Sequence, residues 1–267
     1  MKKKKKNKAS SKIKLYVGDC IAVMKTKIDD ESIDLIVTSP PYNCGIKYDN
    51  YNDSLPKEKY YRWCKNWLKE CYRVLKNNRR IAINVLLNKG SSREGREQPV
   101  VEFCNLLKKV GFSLNNITLW MDEHRVKHTA WGSWKSASAP YIFNPYEVII
   151  MASKGKWERK DRGVSDITRD EFMEWVTGRW RFNPEHRRLN PAPFPEELPK
   201  RCIKLLSYVG DTVLDPFVGS GTTCVAAKKL NRNCIGIDIS KKYINIAKKR
   251  IKEQKYGRLK CRKIFKV

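Results

Sequence analysis

The chain reads as an α/β protein: one mostly parallel sheet of seven strands with helices on both faces. Three observations carry that reading. Short apolar, β-branched runs alternate with helix-period segments, residues 32–38 are apolar enough for a strand covered on both faces, and residues 212–252 spell a complete βαβ unit. A length of 267 residues suits one well-buried domain carrying a sizeable insertion, not two independent domains.

In order, Ile13, Leu15 and Val17 alternate with Lys14 and Tyr16, as in a short strand ending at Gly18 and Asp19, and a helix over 20–26 follows. The strand over 32–38 is stopped by Pro40 and Pro41, which places residues 39–42 at its carboxyl end. From 57 to 75, Tyr60, Tyr61, Trp63, Cys64, Trp67, Leu68, Cys71, Tyr72 and Leu75 recur at helical spacing, the stripe of a helix packed on a sheet. A strand over 80–86, a helix over 100–110 and a strand over 114–120 repeat the alternation. Periodicity lapses between 121 and 141 and resumes with a strand over 146–152. Residues 153–195 are basic, aromatic and interrupted by proline, so they read as a separate substrate-facing module. A helix over 196–208 leads into the closing βαβ block: strand 212–215, loop 216–221, helix 222–230, strand 233–237 and helix 240–252. The expected organisation is a basic arm (1–12), a first part of one domain (13–152), an insertion (153–190), a second part (191–255) and a basic C-terminal segment (256–267).

The formal charge of +28 comes from 56 Lys and Arg against 28 Asp and Glu. Lys2 to Lys6, Lys8, Lys12 and Lys14 supply only eight of the positive charges, so the folded body is itself basic and suited to a polyanion. The nine cysteines (Cys20, Cys44, Cys64, Cys71, Cys104, Cys202, Cys224, Cys234 and Cys261) are scattered in apolar runs and read as free thiols in a reducing cytoplasm. No CxxC pair occurs, and His124 and His128 lack the pattern of a zinc protease, so no metal site is expected. No apolar run is long enough for a membrane helix.

Two constellations carry chemistry. In the first, Asp215-Pro216-Phe217-Val218-Gly219-Ser220-Gly221-Thr222-Thr223 sets two glycines between a strand and a helix, where the backbone turns tightly and a ligand can approach a helix N-terminus. Asp238 closes the next strand, where a carboxylate can accept both hydroxyls of a ribose. No Lys-Ser/Thr follows the glycines, which excludes a P-loop, and the third glycine of the dinucleotide fingerprint is missing.

The second is Thr38-Ser39-Pro40-Pro41-Tyr42-Asn43. Exocyclic amines of cytosine and adenine are weak nucleophiles because their lone pair is delocalised into the ring, so an enzyme must hold the amine while that pair turns toward an electrophile. The Ser39 oxygen and the Pro40 carbonyl can each accept one N–H, Pro41 helps stiffen the loop, and Tyr42 offers a face for stacking an extruded base.

These residues resemble the DNA amino-methyltransferases, whose tetrad (Ser/Asp/Asn)-Pro-Pro-(Tyr/Phe) is here Ser39-Pro40-Pro41-Tyr42 and whose cofactor motif Asp-Pro-Phe-x-Gly-x-Gly-Thr-Thr is here residues 215–223. The tetrad precedes the cofactor motif, an order that resembles the β class, and the likeness spans nearly all of 13–252. It implies a circularly permuted, Rossmann-like methyltransferase fold with a target-recognition insertion between the motifs. It also implies that Asp215, Phe217, Gly219, Gly221, Thr222, Thr223 and Asp238 bind S-adenosyl-L-methionine, with Pro193 and Phe194 at its methionine end. Asp19 stands either at the adenine edge or as a loop cap, and Asn190 replaces the histidine frequent before Pro-Ala-Pro-Phe.

A serine at the head of the tetrad is commoner among cytosine-N4 enzymes of this family, so cytosine N4 is the expected acceptor and adenine N6 the alternative. Cytosine-C5 chemistry is set aside because no cysteine follows a proline. Double-stranded DNA is the expected partner, with Trp131, Trp134, Arg159, Arg162, Arg179, Arg181, Arg187 and Arg188 as its contacts. The segments 131–134 and 144–147 resemble restriction-system enzymes acting on short palindromes, CTAG among them, which implies a partner endonuclease cutting the same site. The rival readings are an RNA methyltransferase and a non-catalytic nucleic-acid-binding protein on the same fold.

Overall fold

The computed structural model describes residues 11–90, 96–122, 132–142, 144–184 and 195–254. Among the described residues eight strands form one sheet: β1 (Ile13–Val17), β2 (Ile33–Thr38), β3 (Leu75–Leu86), β4 (Ser113–Asp122), β5 (Tyr146–Lys154), β6 (Arg179–Phe182), β7 (Thr212–Asp215) and β8 (Asn233–Asp238). Their spatial order is β1-β8-β7-β2-β3-β5-β4-β6. The five strands from β1 to β3 run parallel, β5 is antiparallel to both β3 and β4, and β6 is parallel to β4. The expected seven-stranded sheet is therefore eight-stranded, and it is mostly parallel as expected, with β5 alone reversed. Periodicity registers that a strand exists; it carries no information about its direction.

Seven helices among the described residues cover the sheet: α1 (Cys20–Lys27), α2 (Lys57–Val74), α3 (Pro99–Val110), α4 (Arg169–Trp175), α5 (Glu197–Leu206), α6 (Thr222–Lys229) and α7 (Lys241–Glu253). On α2 the predicted stripe buries Tyr60, Cys64, Trp67, Leu68 and Cys71 with α1 and α3 in one core cluster. On the opposite face α5, α6 and α7 pack over Leu35, Val37 and Val213 in a second cluster. Residues of β2 thus feed both cores, as expected of a strand with no solvent-facing side.

β3 starts five residues before the predicted 80, through the polar stretch Lys76-Asn77-Asn78-Arg79. Asp34 makes this possible. Its buried carboxylate accepts from Lys76 Nζ at 2.8 Å, Arg79 Nε at 3.3 Å and the Thr212 backbone N–H at 3.0 Å, tying the amino ends of β2, β3 and β7 together.

The described part of the basic segment, residues 153–184, does not stand apart as a module. β6 extends the main sheet by pairing with β4, and Trp175 and Trp180 are buried. Strand alternation explains the composition: Trp180 points into the core while Arg179 and Arg181 face solvent. Arg159, expected at the DNA, is drawn into the fold. Its side chain is 5% exposed, it donates to both Asp161 and Asp211, and its guanidinium lies over the Tyr208 ring. Arg162 is exposed in the same stretch, next to Asp161, which pairs with Arg79, and near Val164, whose carbonyl accepts from the Val209 N–H. Both arginines therefore sit by the amino ends of the parallel strands, away from Ser39.

Cys224 of α6 and Cys234 of β8 are joined as a disulfide with Cα atoms 5.5 Å apart, against the expectation that all nine thiols are free. Six others are free, and Cys261 lies outside the described residues. Ser11 and Lys12 are the described part of the basic arm, and the C-terminal segment 256–267 lies outside. Among the described residues, no helix is long and apolar enough to cross a membrane, and no cluster of potential metal ligands occurs.

Candidate active site

In a parallel sheet the functional loops gather at the carboxyl ends of the strands. Here β2 ends at Thr38 and β7, its neighbour, ends at Asp215. The Thr38 hydroxyl donates to the Asp215 carboxylate at 2.7 Å, joining positions 177 residues apart in sequence. The loops that follow these strands open onto one cleft, lined by Ser39 and Pro41 from the first and by Phe217, Gly219 and Thr222 from the second. Asp19 and Asp238 complete its wall from the ends of β1 and β8.

Asp215 itself is fully buried, and its carboxylate faces the protein. It accepts from Thr38, from the Thr223 hydroxyl at 2.6 Å and from the Phe217 N–H at 3.0 Å, so it clasps the two loops from behind. Burial pushes its pKa up to about 6 despite those three donors. The unfolded value is about 3.9, so between the two the folded chain holds an extra proton. The group's stabilising contribution is complete below the unfolded value and is lost as pH rises through about 6. Asp215→Asn has no charge to bury and retains an acceptor for Phe217. It is expected to match or exceed wild-type stability at pH 7.5, by up to about 2 kcal/mol, with the difference shrinking toward pH 5. Urea denaturation at the two pH values measures this.

Thr223 is fully buried and serves Asp215, while Gly221 packs against Ala247 of α7. Gly219 and Asp238 meet directly, the Gly219 N–H donating to Asp238 Oδ2 at 2.9 Å while the Ser240 N–H donates to Oδ1 at 2.8 Å. Desolvation raises the Asp238 pKa from its ordinary value. Asp19 takes the capping alternative, accepting from the Ala22 N–H at 3.0 Å as the N-cap of α1, and it also lines the cleft. Phe217 packs edge-on to Trp67 and is tilted on Trp63.

Of the tetrad, Pro40 is buried, and the Pro41 carbonyl accepts from the Tyr60 hydroxyl at 2.6 Å, which ties the loop to α2. The Tyr42 hydroxyl lies 2.7 Å from Ser39 Oγ, 2.8 Å from Asn84 Nδ2 and 3.0 Å from Glu147 Oε2. Burial, and then the charge of Glu147, raise its pKa well above that of an ordinary phenol, so it stays protonated. Beyond the tetrad, the Asp53 carboxylate accepts the backbone N–H groups of Asn43, Cys44 and Ile46, which shapes residues 43–55 into a strap. The strap carries Tyr48, Asp49 and Tyr51 to the cleft, and the Ser240 hydroxyl of the α7 cap donates to Asp49 at 2.6 Å.

Sequence reasoning missed the strap, Trp63, Ser240 and Tyr243 as cleft residues, and Asn84 and Glu147 as partners of the tetrad. Trp63 lay in the α2 stripe that the sequence displays, but nothing in the spacing marks it as facing the cleft, and the strap carried no signal either. Of the expected DNA contacts, Trp134 is 66% exposed, and Arg179 and Arg181 lie exposed beside the carboxyl-terminal half of β4. Trp131, Arg187, Arg188, Pro193 and Phe194 lie outside the described residues.

The sequence model of the N6/N4 methyltransferase family, described as DNA methylase, matches residues 33–249. Type II methyltransferase M.MjaVI of Methanocaldococcus jannaschii is 40% identical over 166 residues, covering 62% of this chain and 84% of its own. Type II methyltransferase M.HpaI of Haemophilus parainfluenzae is 31% identical over 252 residues, covering 91% and 76%. Among solved structures, TTHA0409 of Thermus thermophilus, assigned as a DNA modification methylase and complexed with S-adenosyl-L-methionine, superposes with a TM-score of 0.71 at 28% identity, covering 89% of this chain and 92% of its own.

Proposed function

The chain belongs to the N6/N4 DNA methylase family and is a DNA methyltransferase that uses S-adenosyl-L-methionine, and from that premise we propose that it methylates N4 of cytosine within a short duplex site. The observation that supports a single-site reaction is the shared cleft: Ser39 at one wall, Phe217 and Gly219 at the other. A serine at the head of the tetrad favours cytosine over adenine.

The residues present fit the cofactor. Trp63, Phe217 and Tyr243 give aromatic and apolar walls for an adenine ring, Gly219 exposes bare backbone, and Asp19, Asp49 and Asp238 make the cleft acidic enough for a sulfonium cation. When bound, S-adenosyl-L-methionine supplies the electrophilic methyl. The chain does the rest. Ser39 Oγ and the Pro40 carbonyl accept the two amine N–H groups, holding the nitrogen so that its lone pair faces the cleft. Tyr42 stacks on the extruded base, and the buried Asp215 keeps the two loops in register. No side chain bonds covalently to the substrate.

Trp134, Arg179 and Arg181 remain on the surface as the proposed DNA contacts. The Type II names of the relatives support a restriction-modification setting; a cognate endonuclease, a cytoplasmic location and a palindromic target of the CTAG kind extend that reading. The decisive experiment incubates the protein with unmodified genomic DNA and labelled cofactor, then digests to nucleosides for mass spectrometry. N4-methylcytosine is the expected product. N6-methyladenine would overturn the base assignment, and label in RNA alone would overturn DNA as substrate.

A further inference from the structure

β5 is antiparallel to β3, so its amino-terminal end, not its carboxyl end, reaches the reaction face. That reversal brings Glu147, the second residue of β5, to Tyr42. Half-buried Glu147 and buried Asn84 enclose the phenol hydroxyl, and their short contacts form one consistent chain of hydrogen bonds. Asn84 Nδ2 lies 2.6 Å from Glu147 Oε2, a distance tolerable only for a donor facing a carboxylate, which fixes the orientation of the amide. The same Nδ2 lies 2.8 Å from the phenol oxygen and must donate to it. The single phenol proton goes to the Glu147 carboxylate at 3.0 Å, closer than the Asn84 backbone carbonyl at 3.4 Å. The phenol oxygen then has an acceptor site left for Ser39, 2.7 Å away, and takes the serine's proton. With that proton turned toward Tyr42, the lone pairs of Ser39 Oγ are left for an incoming N–H.

We propose that Glu147, acting through the Tyr42 hydroxyl, fixes Ser39 as a hydrogen-bond acceptor toward the amine being methylated. Glu147 is a positioning residue: it touches neither base nor cofactor in this scheme, and it sets which way a hydroxyl points. The inference rests on the role given to Ser39 above. The raised Tyr42 pKa agrees with it, since the phenol keeps the proton that the chain of bonds requires. Glu147→Gln keeps size and shape but adds a donor, which lets the phenol proton turn toward Ser39 and occupy the lone pair that the amine needs.

The test is a double-mutant cycle of single-turnover methylation, with enzyme in excess over unmodified genomic DNA, in wild type, Glu147→Gln, Ser39→Ala and the double variant. Binding of S-adenosyl-L-methionine and of duplex DNA is measured alongside by calorimetry. Glu147→Gln is expected to slow transfer about tenfold or more, leave both affinities within about twofold, and add no further loss in the Ser39→Ala background. Tyr42→Phe, which cuts the link while keeping the ring, is expected to cost a similar factor and to be equally non-additive with Glu147→Gln; it decides the matter if Glu147→Gln fails to fold. A wild-type rate in Glu147→Gln, or an equal slowing in both backgrounds, would overturn the proposal. Loss of cofactor affinity matching the rate loss would do so too. If Ser39→Ala itself runs at the wild-type rate, the assignment of Ser39 fails, which is a separate result.

Discussion

Replacing Ser39 with alanine is expected to slow single-turnover methyl transfer by about a hundredfold or more, equivalent to roughly 3 kcal/mol of barrier, while the fold and cofactor affinity stay near wild type. The two halves of that expectation have different causes. The rate falls because the hydroxyl that holds the amine is gone, and a weak nucleophile left to rotate seldom presents its lone pair to the cleft. Stability holds because the Tyr42 hydroxyl keeps Asn84 and Glu147 as partners when Ser39 is lost, so no buried polar group is orphaned. Quenched-flow transfer of labelled methyl, with thermal melting and calorimetric titration of the cofactor as controls, separates rate from folding. A rate within about threefold of wild type in a folded, cofactor-binding variant would remove Ser39 from the chemistry.

Gly221→Ala is expected to be the most damaging small substitution in the cofactor loop. Gly221 is the N-cap of α6 at φ +91°, and a Cβ there would lie 2.7 Å from Ala247 Cβ and 3.0 Å from Ala247 Cα, so α7 itself would have to move. A loss of about 2–4 kcal/mol in urea unfolding is expected, with cofactor affinity down at least about tenfold as residues 216–221 shift. Gly210 is an internal control. It has the same φ of +91° but nothing within 4 Å of its would-be Cβ, so Gly210→Ala carries the backbone strain without the collision and should cost only about 1 kcal/mol. Equal losses in the two variants would show that strain alone, and not the contact with α7, constrains the loop.

Much of the site was legible because its chemistry is local in sequence. The strand-loop-helix around Gly219, the acid at Asp238 and the Pro-Pro stop after β2 each need only a few adjacent residues to be recognised, and all sit at one end of the sheet as expected. What the sequence concealed depends on long-range partners. Arg159 has the composition of a phosphate ligand, and only the fold shows that Asp211, more than fifty positions on, claims it. Glu147 lies in an ordinary strand end, and its importance appears once β5 is known to run backward. The extension of β3 through Lys76 and Arg79 looks like loop until Asp34 is placed beside it. The Arg-Trp-Arg-Phe alternation of β6 was present in the sequence, but four residues amid so many charges are a weak signal against a basic background.

The order of strands also bears on how such a protein changes over generations. β7 and β2 lie inside the sheet, so the gap that a methyl group must cross is set by the spacing of two neighbouring strands. β6, which carries the proposed DNA contacts Arg179 and Arg181, is the outermost strand of the far flank, separated from β7 by β2, β3, β5 and β4. On the proposal above, exchanging residues of that outermost strand would redirect which DNA is gripped without altering the reaction distance, so new sequence preferences would arise on an unchanged chemical engine.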